Sequence, residues 1–285
     1  MATQLVSLPE IERLSPVCIR ILGGNPGKFT LQGTNTYLLG RGSRRILIDT
    51  GEGVPSWIAA VKSILEQEKA TVETVLITHW HHDHQGGIRQ LLDLSPASKV
   101  YKNQPEEGQS DITDGQKFKV DGASLTAVYT PGHTVDHMAF VLEEEDAMFT
   151  ADNVLGQGTA VFEDLATYLN SLEKMRDLFK GRAYPGHGPV VDNGPSKILE
   201  YINHRKAREG QVIRTLRTTR QGAEVEGQVS AWTPMELVKV IYHDVPEELH
   251  VPASGGVIQI LKKLEKEDRV EQSHDRWILK DRSAL

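Results

Sequence analysis

Short apolar runs separated by turn residues fill the first 190 residues. Residues 36–39 and 45–48 read as strands, being apolar, partly β-branched and bounded by glycine and polar clusters. From 56 to 67 the spacing changes. Trp57, Val61, Ile64 and Leu65 recur at helical intervals and predict one apolar helix face. A short buried strand is expected over 74–77, and a helix over 88–94 after Gly86-Gly87. Residues 99–101, 124–129, 138–142 and 147–150 are again strand-like. Leu165, Leu169, Leu172 and Phe179 mark a further helix. Strands outnumber helices and the two are mixed. The pattern predicts an α+β architecture of two sheets flanked by helices rather than a regular βαβ array.

The pattern shifts after Gly194. Residues 195–220 are helical and basic, with Lys197, Arg205, Lys206, Arg208, Arg214, Arg217 and Arg220 against Glu200 and Glu209, a net of +5. Residues 221–230 read as a polar linker. Thr233-Pro234-Met235-Glu236 predicts a new helix start. Threonine caps, proline suits the first helical position, and Glu236 reaches back to the cap. Val257, Leu261 and Leu264 mark a second helix, and 269–271 with 276–279 suggest a small hairpin. Helix, helix, hairpin is winged-helix-like. The expected organisation is a main α+β domain over 1–194, a basic helix and linker over 195–230, and a winged-helix-like domain over 231–285.

Composition narrows the chemistry. The formal charge of -7 argues against a surface that grips polyanions everywhere, though not against a local basic groove. Residues 231–285 carry eight basic and ten acidic residues, a poor footprint for nucleic acid. One cysteine, Cys18, excludes an internal disulfide and a multi-thiolate zinc site. Residues 1–16 have no apolar core of a secretory signal, and no run approaches the roughly 18 apolar residues that span a membrane. An intracellular, cytoplasmic protein is expected, with the mitochondrial matrix as the alternative.

The segment Thr78-His79-Trp80-His81-His82-Asp83-His84 carries the chemistry. On a loop leaving a strand, His79 and His81 can point to one ion while Asp83 and His84 reach a second. Gly86-Gly87 lets the backbone turn tightly. Further ligands are available near strand ends or turns: His133 in Thr130-Pro131-Gly132-His133, Asp152 after Met148-Phe149-Thr150, and His187 in Tyr184-Pro185-Gly186-His187-Gly188. Imidazole and carboxylate without thiolate favour zinc, with iron or manganese as alternatives. Two close cations would lower the pKa of bound water and stabilise negative charge developing on a carbonyl or phosphoryl oxygen. Asp83 could also hold or shuttle a water proton. His204, His243, His250 and His274 are expected to be ordinary surface or core residues. Trp80 and His82 should face away from the ligands. Asp49, Asp136 and His137 could orient ligands or brace loops.

The run His79-x-His81-x-Asp83-His84, followed by His133, Asp152 and His187, resembles the metallo-β-lactamase superfamily over residues 17–190. The resemblance implies an αββα sandwich with the site at one edge. It implies that His79, His81 and His133 bind one metal, that Asp83, His84 and His187 bind the second, and that Asp152 bridges both. Ala151 departs from the glycine usual before the bridging aspartate. The stretch from Asn25 to Tyr37 and the stretch Gly158 to Asp164 resemble the β-lactamase-like protein 2 group, as does the C-terminal extension. One branch of that group holds fungal thioesterases that release an aromatic polyketide from its acyl carrier protein. Another is a mitochondrial endoribonuclease acting on single-stranded RNA. The resemblance favours a thioesterase with two Zn2+ ions per chain and a carrier-protein-bound or synthase-bound thioester as partner. Single-stranded RNA is the alternative partner, and a docking module with structural metals is a third reading. An antibiotic β-lactamase is disfavoured by the missing export signal and by the extension.

Overall fold

The computed structural model describes residues 5–218 and 231–280. The linker expected over 221–230, and Arg220 before it, lie outside the described residues. The chain divides into two compact units: Met1–Phe162 with Thr167–Leu199, and Glu163–Ala166 with Glu200–Leu285.

The first unit holds two sheets. Strands β1 (Ile11–Ser15), β2 (Cys18–Leu22), β3 (Asn35–Leu39), β4 (Arg44–Ile48), β5 (Thr71–Ile77), β6 (Lys99–Lys102) and β7 (Ser110–Asp111) form a seven-stranded sheet in chain order. It is antiparallel through β4 and parallel from β4 onward. The parallel step needs crossovers. Helix α1 (Pro55–Glu68) supplies one between β4 and β5, and α3 (Ile88–Leu94) lies in the next. Strands β8 (Lys117–Val120), β9 (Ala123–Tyr129), β10 (Met138–Leu142), β11 (Ala147–Ala151) and β12 (Ala183–Pro185) form a five-stranded sheet in the order β12-β11-β10-β9-β8.

Alternation along the strands sorts the core. Tyr37, Leu39, Ile46, Ile48 and Leu76 point to the second sheet, where they pack with Leu125, Phe140, Phe149 and Tyr184. Their neighbours Leu38, Leu47, Val75 and Ile77 point the other way, against Trp57, Val61 and Ile64 of α1 and Leu91 of α3. Helix α4 (Leu165–Arg176) meets loops of the five-stranded sheet, with Tyr168 Oη donating to Asn153 O at 2.6 Å and Ser171 Oγ to Pro131 O at 2.6 Å.

Two expectations need correction. Phe179 lies beyond the end of α4, in the turn that follows, although it is buried. The ligand-rich run is not wholly a loop. Residues His82–Gln85 make a single helical turn, α2. Side chains in a helical turn advance by about 100° per residue, so Asp83 and His84 can flank the inward direction while His82 turns to solvent.

Helix α5 (Gly194–Leu216) runs across the division between the units. In the second unit, α6 (Pro234–Ile241) starts with the expected capping box, both Thr233 and Glu236 making their bonds. It packs with α7 (His250–Lys266), and the hairpin of β13 (Val270–Ser273) and β14 (Arg276–Leu279) follows. Trp232 exchanges backbone hydrogen bonds with Trp277, adding a third short strand to the hairpin. No described helix is long and apolar enough to cross a membrane.

Candidate metal centre

Every residue singled out as a ligand follows the carboxyl end of a strand. The run from His79 to His84 leaves β5, His133 follows β9, Asp152 follows β11 and His187 follows β12. The fold gathers them into two groups. His79, His81, His133 and Asp152 form one, and Asp83, His84 and His187 the other, with candidate ligand atoms in each group within 4.8 Å of one another. His81 Nδ1 lies 2.9 Å from His79 Nε2 and 3.1 Å from His133 Nε2. Asp152 reaches both groups, with Oδ2 3.6 Å from His133 Nε2 and 3.2 Å from His187 Nε2, and Oδ1 3.4 Å from His84 Nε2.

Glycine makes two of these approaches feasible. A Cβ on Gly186 would sit 2.2 Å from Asp152 Oδ1. A Cβ on Gly132, whose φ is +131°, would sit 2.3 Å from Tyr168 Cα. The Pro-Gly-His motifs are therefore steric requirements of the site.

Hydrogen bonds on the far side of the rings fix the tautomers of three histidines. His84 Nδ1 faces Asp49 Oδ2 at 2.7 Å, and His133 Nδ1 faces the Val161 carbonyl at 2.8 Å. Both partners only accept, so each Nδ1 carries the proton. Thr78 Oγ1 donates to Asp49 Oδ2 at 2.9 Å, leaving its lone pair for His79 Nδ1–H at 2.9 Å. In all three Nε2 is the ring nitrogen that faces the site.

Charge agrees with this reading. Burial holds His79 well below the ordinary histidine range and lowers His81, with neighbouring imidazoles adding to the effect. Burial also opposes charge on His84, but Asp152, Asp49 and Asp83 outweigh it and raise that imidazole well above its usual value. Asp83 shows the converse: burial raises its carboxyl, and His84 and His187 pull it below the carboxylate range. Neutral nitrogens facing one another beside buried carboxylates, with Asp152 Oδ1 buried and lacking a hydrogen-bond donor, suit a positive ion better than any arrangement of protons.

Residues that sequence reasoning did not single out hold this arrangement. Thr34, fully buried, donates to Asp83 Oδ2 at 2.9 Å. Asn35 Nδ2 donates to Pro185 O and Gly188 O, each at 2.9 Å, and Tyr37 Oη donates to Pro185 O at 2.7 Å, clamping the His187 turn to β3. Asn153 Nδ2 donates to Thr130 O at 2.7 Å, joining the Asp152 and His133 turns. Thr34, Asn35 and Tyr37 lie in the stretch from Asn25 to Tyr37 that carries the family resemblance, and nothing in the sequence marks Asn153.

The residues left open are also placed. Asp49 accepts from Thr78 N at 2.8 Å and braces His84, so it orients ligands. Asp136 pairs with Lys102 Nζ at 2.6 Å, a buried ion pair that joins the end of β6 to the loop carrying His133. His137 is buried and held neutral chiefly by that burial, the neighbouring His133 imidazole adding to the effect, with Nδ1 facing Thr130 Oγ1 at 2.9 Å. It belongs to neither ligand group. Trp80 is partly exposed, its ring lying against His81. His250 is a buried residue facing the Tyr242 and Val245 carbonyls, while His204, His243 and His274 are exposed.

A cavity of about 440 Å³ opens on the centre. His81, Asp83, His133, Asp152 and His187 form its floor, and Phe29, Leu31, Leu155, Ala160 and Val161 supply apolar walls.

Residues 29–107 and 102–187 match the model of the metallo-beta-lactamase superfamily. The chain belongs to the metallo-beta-lactamase superfamily. Residues 233–277 match the beta-lactamase associated winged helix domain. The superfamily relatives include the lactamase-like protein adaB of Aspergillus niger, 47% identical across 96% of this chain and 89% of that one. An atrochrysone carboxyl ACP thioesterase of Aspergillus chevalieri is 47% identical across 94% of this chain and 87% of that one. Among solved structures, a beta-lactamase domain protein from Burkholderia ambifaria superposes with a TM-score of 0.79 at 17% identity, covering 96% of this chain and 95% of that one. This is a metallo-beta-lactamase fold followed by a winged helix domain.

Proposed function

We propose that this superfamily member is a two-zinc thioesterase that releases an aromatic polyketide from an acyl carrier protein. The observation that carries the reading is the set of inward lone pairs and carboxylates at the floor of an apolar-walled cavity. The thioesterase named among the relatives supports the choice of thioester over other acyl bonds.

The residues fit two ions. His79, His81 and His133 would hold one, Asp83, His84 and His187 the other, and Asp152 would reach both. When bound, the ions would polarise the thioester carbonyl and make hydroxide available near neutral pH. The chain's own residues do the rest. Asp83 is the most exposed of the two site carboxylates, 22% against 11% for Asp152, and it lines the cavity. In this reading it takes a proton from the attacking water and returns it to the departing thiolate, so that thioester and water become acid and thiol. Thr34 keeps that carboxylate aimed by donating to Oδ2. The apolar walls limit competing water.

The test is zinc-loaded protein incubated with an aromatic acyl thioester and, separately, with labelled single-stranded RNA, with His79→Ala as control. Thioester turnover lost in the variant, with RNA intact, supports the proposal. RNA cleavage lost in the variant, with an inert thioester, overturns it in favour of the nuclease. Stripping the metal separates catalysis from a structural role, since a purely structural site would lose the fold when emptied.

A further inference from the structure

Four cavity-lining residues are consecutive: Lys28, Phe29, Thr30 and Leu31. They form the tip of a pinned turn. Gly27 N–H donates to Leu31 O at 3.1 Å, and Thr30 Oγ1 to Asn25 O at 2.6 Å. The base is closed by Asn25, whose Oδ1 accepts from Thr34 N at 2.9 Å and whose Nδ2 donates to Thr34 Oγ1 at 3.1 Å. Thr34 in turn donates to Asp83, so the turn is tied to the ligand set. The wall at Val161 is tied in the same way, through its carbonyl and His133.

On these fixed supports the side chains face solvent. Phe29 is 72% exposed and Val161 is 61% exposed. A phenyl ring held open on a hydrogen-bonded turn adds little to the stability of the fold, since its apolar area stays in water. The ring gains if a ligand covers it. Lys28 Nζ stands 5.6 Å from the Phe29 ring centroid and faces no carboxylate among the described residues. The other charged residues lining the cavity are the carboxylates Asp83 and Asp152 and the histidines of the centre. Lys28 is therefore the one lysine or arginine among the lining residues, beside an exposed aromatic face.

We infer that Lys28 and Phe29 select the acyl group, Phe29 stacking on a planar ring and Lys28 pairing with an acidic oxygen carried by that ring. The inference rests on the thioesterase reading and narrows it to thioesters of anionic aromatic acids, as against neutral or aliphatic ones. Neither residue acts on the scissile bond, so selection appears in KM while kcat is preserved for substrates that bind.

The experiment uses three thioesters of N-acetylcysteamine: naphthoyl carrying a second carboxylate, plain naphthoyl, and octanoyl. Wild type is compared with Lys28→Met, Lys28→Arg and Phe29→Ala, each checked for zinc content and thermal unfolding. Wild type should prefer the carboxylated naphthoyl substrate. Lys28→Met should raise its KM roughly tenfold, as expected for loss of a charge-assisted contact, and leave plain naphthoyl within about twofold. Lys28→Arg should retain the preference. Phe29→Ala should raise KM for both naphthoyl substrates and leave octanoyl unchanged. The inference is overturned alone if wild type hydrolyses octanoyl as well as the aromatic substrates, or if Lys28→Met shifts charged and uncharged substrates equally. If wild type hydrolyses no thioester, the thioesterase reading fails and takes this inference with it.

Discussion

The seven-stranded sheet delivers His79, His81, Asp83 and His84 from one run leaving β5, whereas the five-stranded sheet delivers His133, Asp152 and His187 from three separate turns. On the first side, chain spacing does most of the positioning. The outer partners Asp49 and Thr78 sit at the ends of neighbouring strands of the same sheet. On the second side, His133 and His187 depend on contacts distant in sequence. His133 leans on Val161, the His187 turn on Asn35 and Tyr37, and the His133 loop on Lys102. One half of the centre comes from a single run braced by residues at the ends of its own sheet, and the other from separate turns held by contacts from elsewhere in the fold. Damage to the second half should therefore register in global stability, and damage to the first in metal affinity.

The largest break is expected at the tie between the sheets. Lys102 is buried, its ammonium meeting Asp136 and the carbonyls of Asn103 and Gln104. Lys102→Met leaves the Asp136 carboxylate buried with Thr134 as its hydrogen-bond donor. Denaturant unfolding should show a loss of about 3–5 kcal/mol, the usual cost of stranding one member of a buried pair. Adding Asp136→Leu should recover much of it. A loss below about 1 kcal/mol would match a solvated surface pair and would mean that the tie contributes little to holding the sheets together.

On the local side, Asp49→Asn keeps the shape but turns an acceptor of three bonds toward His84 and Thr78 into a mixed amide. Stability should fall by about 1–3 kcal/mol. The clearer signal should be metal affinity, reduced roughly 10–100-fold in competition with a chromophoric chelator. Unchanged affinity would mean that the chain, and not Asp49, orients His84.

The same contrast decides what could be read from the sequence. The local half was legible as a motif, because its ligands lie within six residues. His133, Asp152 and His187 were legible only as isolated residues beside glycine, proline or a strand end. The ties were not legible. Lys102 looks like a surface lysine, and nothing nearby marks it as buried. Strand β2 is buried along its whole length, so it shows no alternation to read, and β12 is three residues ending in proline. β8 does alternate, as Lys117-Phe118-Lys119-Val120, but four residues between turns carry a weak signal. α4 was overextended because Phe179 returns to the core after the helix has ended, and burial alone mimics a helical position.

Ala151 shows the cost of aiming a ligand at a single residue. Its φ is +43°, in the left-handed region, at the residue that aims Asp152. A Cβ there costs an L-residue roughly 1–2 kcal/mol. Ala151→Gly should therefore raise stability by about 1 kcal/mol, since glycine loses some of the gain to chain entropy. Thermal unfolding checks this. A fall in Tm instead would mean that the buried methyl contributes more packing than its backbone costs.

The smallest effect lies at the exposed edge of the second half. Asp114 accepts from Tyr129 N at 2.7 Å and from Lys174 Nζ at 3.0 Å, steadying the end of β9 just before the His133 turn. Burial slightly opposes its charge, but the Tyr129 amide and Lys174 outweigh it and hold the carboxyl below its usual value. A depressed carboxylate stabilises the fold above the unfolded-state pKa of about 3.9, and the contribution disappears as pH falls through the folded-state value. Asn at this position can still accept from Tyr129, so the substitution removes chiefly the charge on Lys174. The carboxylate is 55% exposed, which limits the effect by solvent screening. Asp114→Asn should cost less than about 1 kcal/mol at pH 7. The gap to wild type should close in acid, below the unfolded-state pKa of about 3.9, as the wild-type carboxyl loses its charge. It should also shrink in molar salt, where the Debye length falls to about 3 Å. A gap that persists in acid and in salt would assign the residue a packing role and leave the electrostatic one without support.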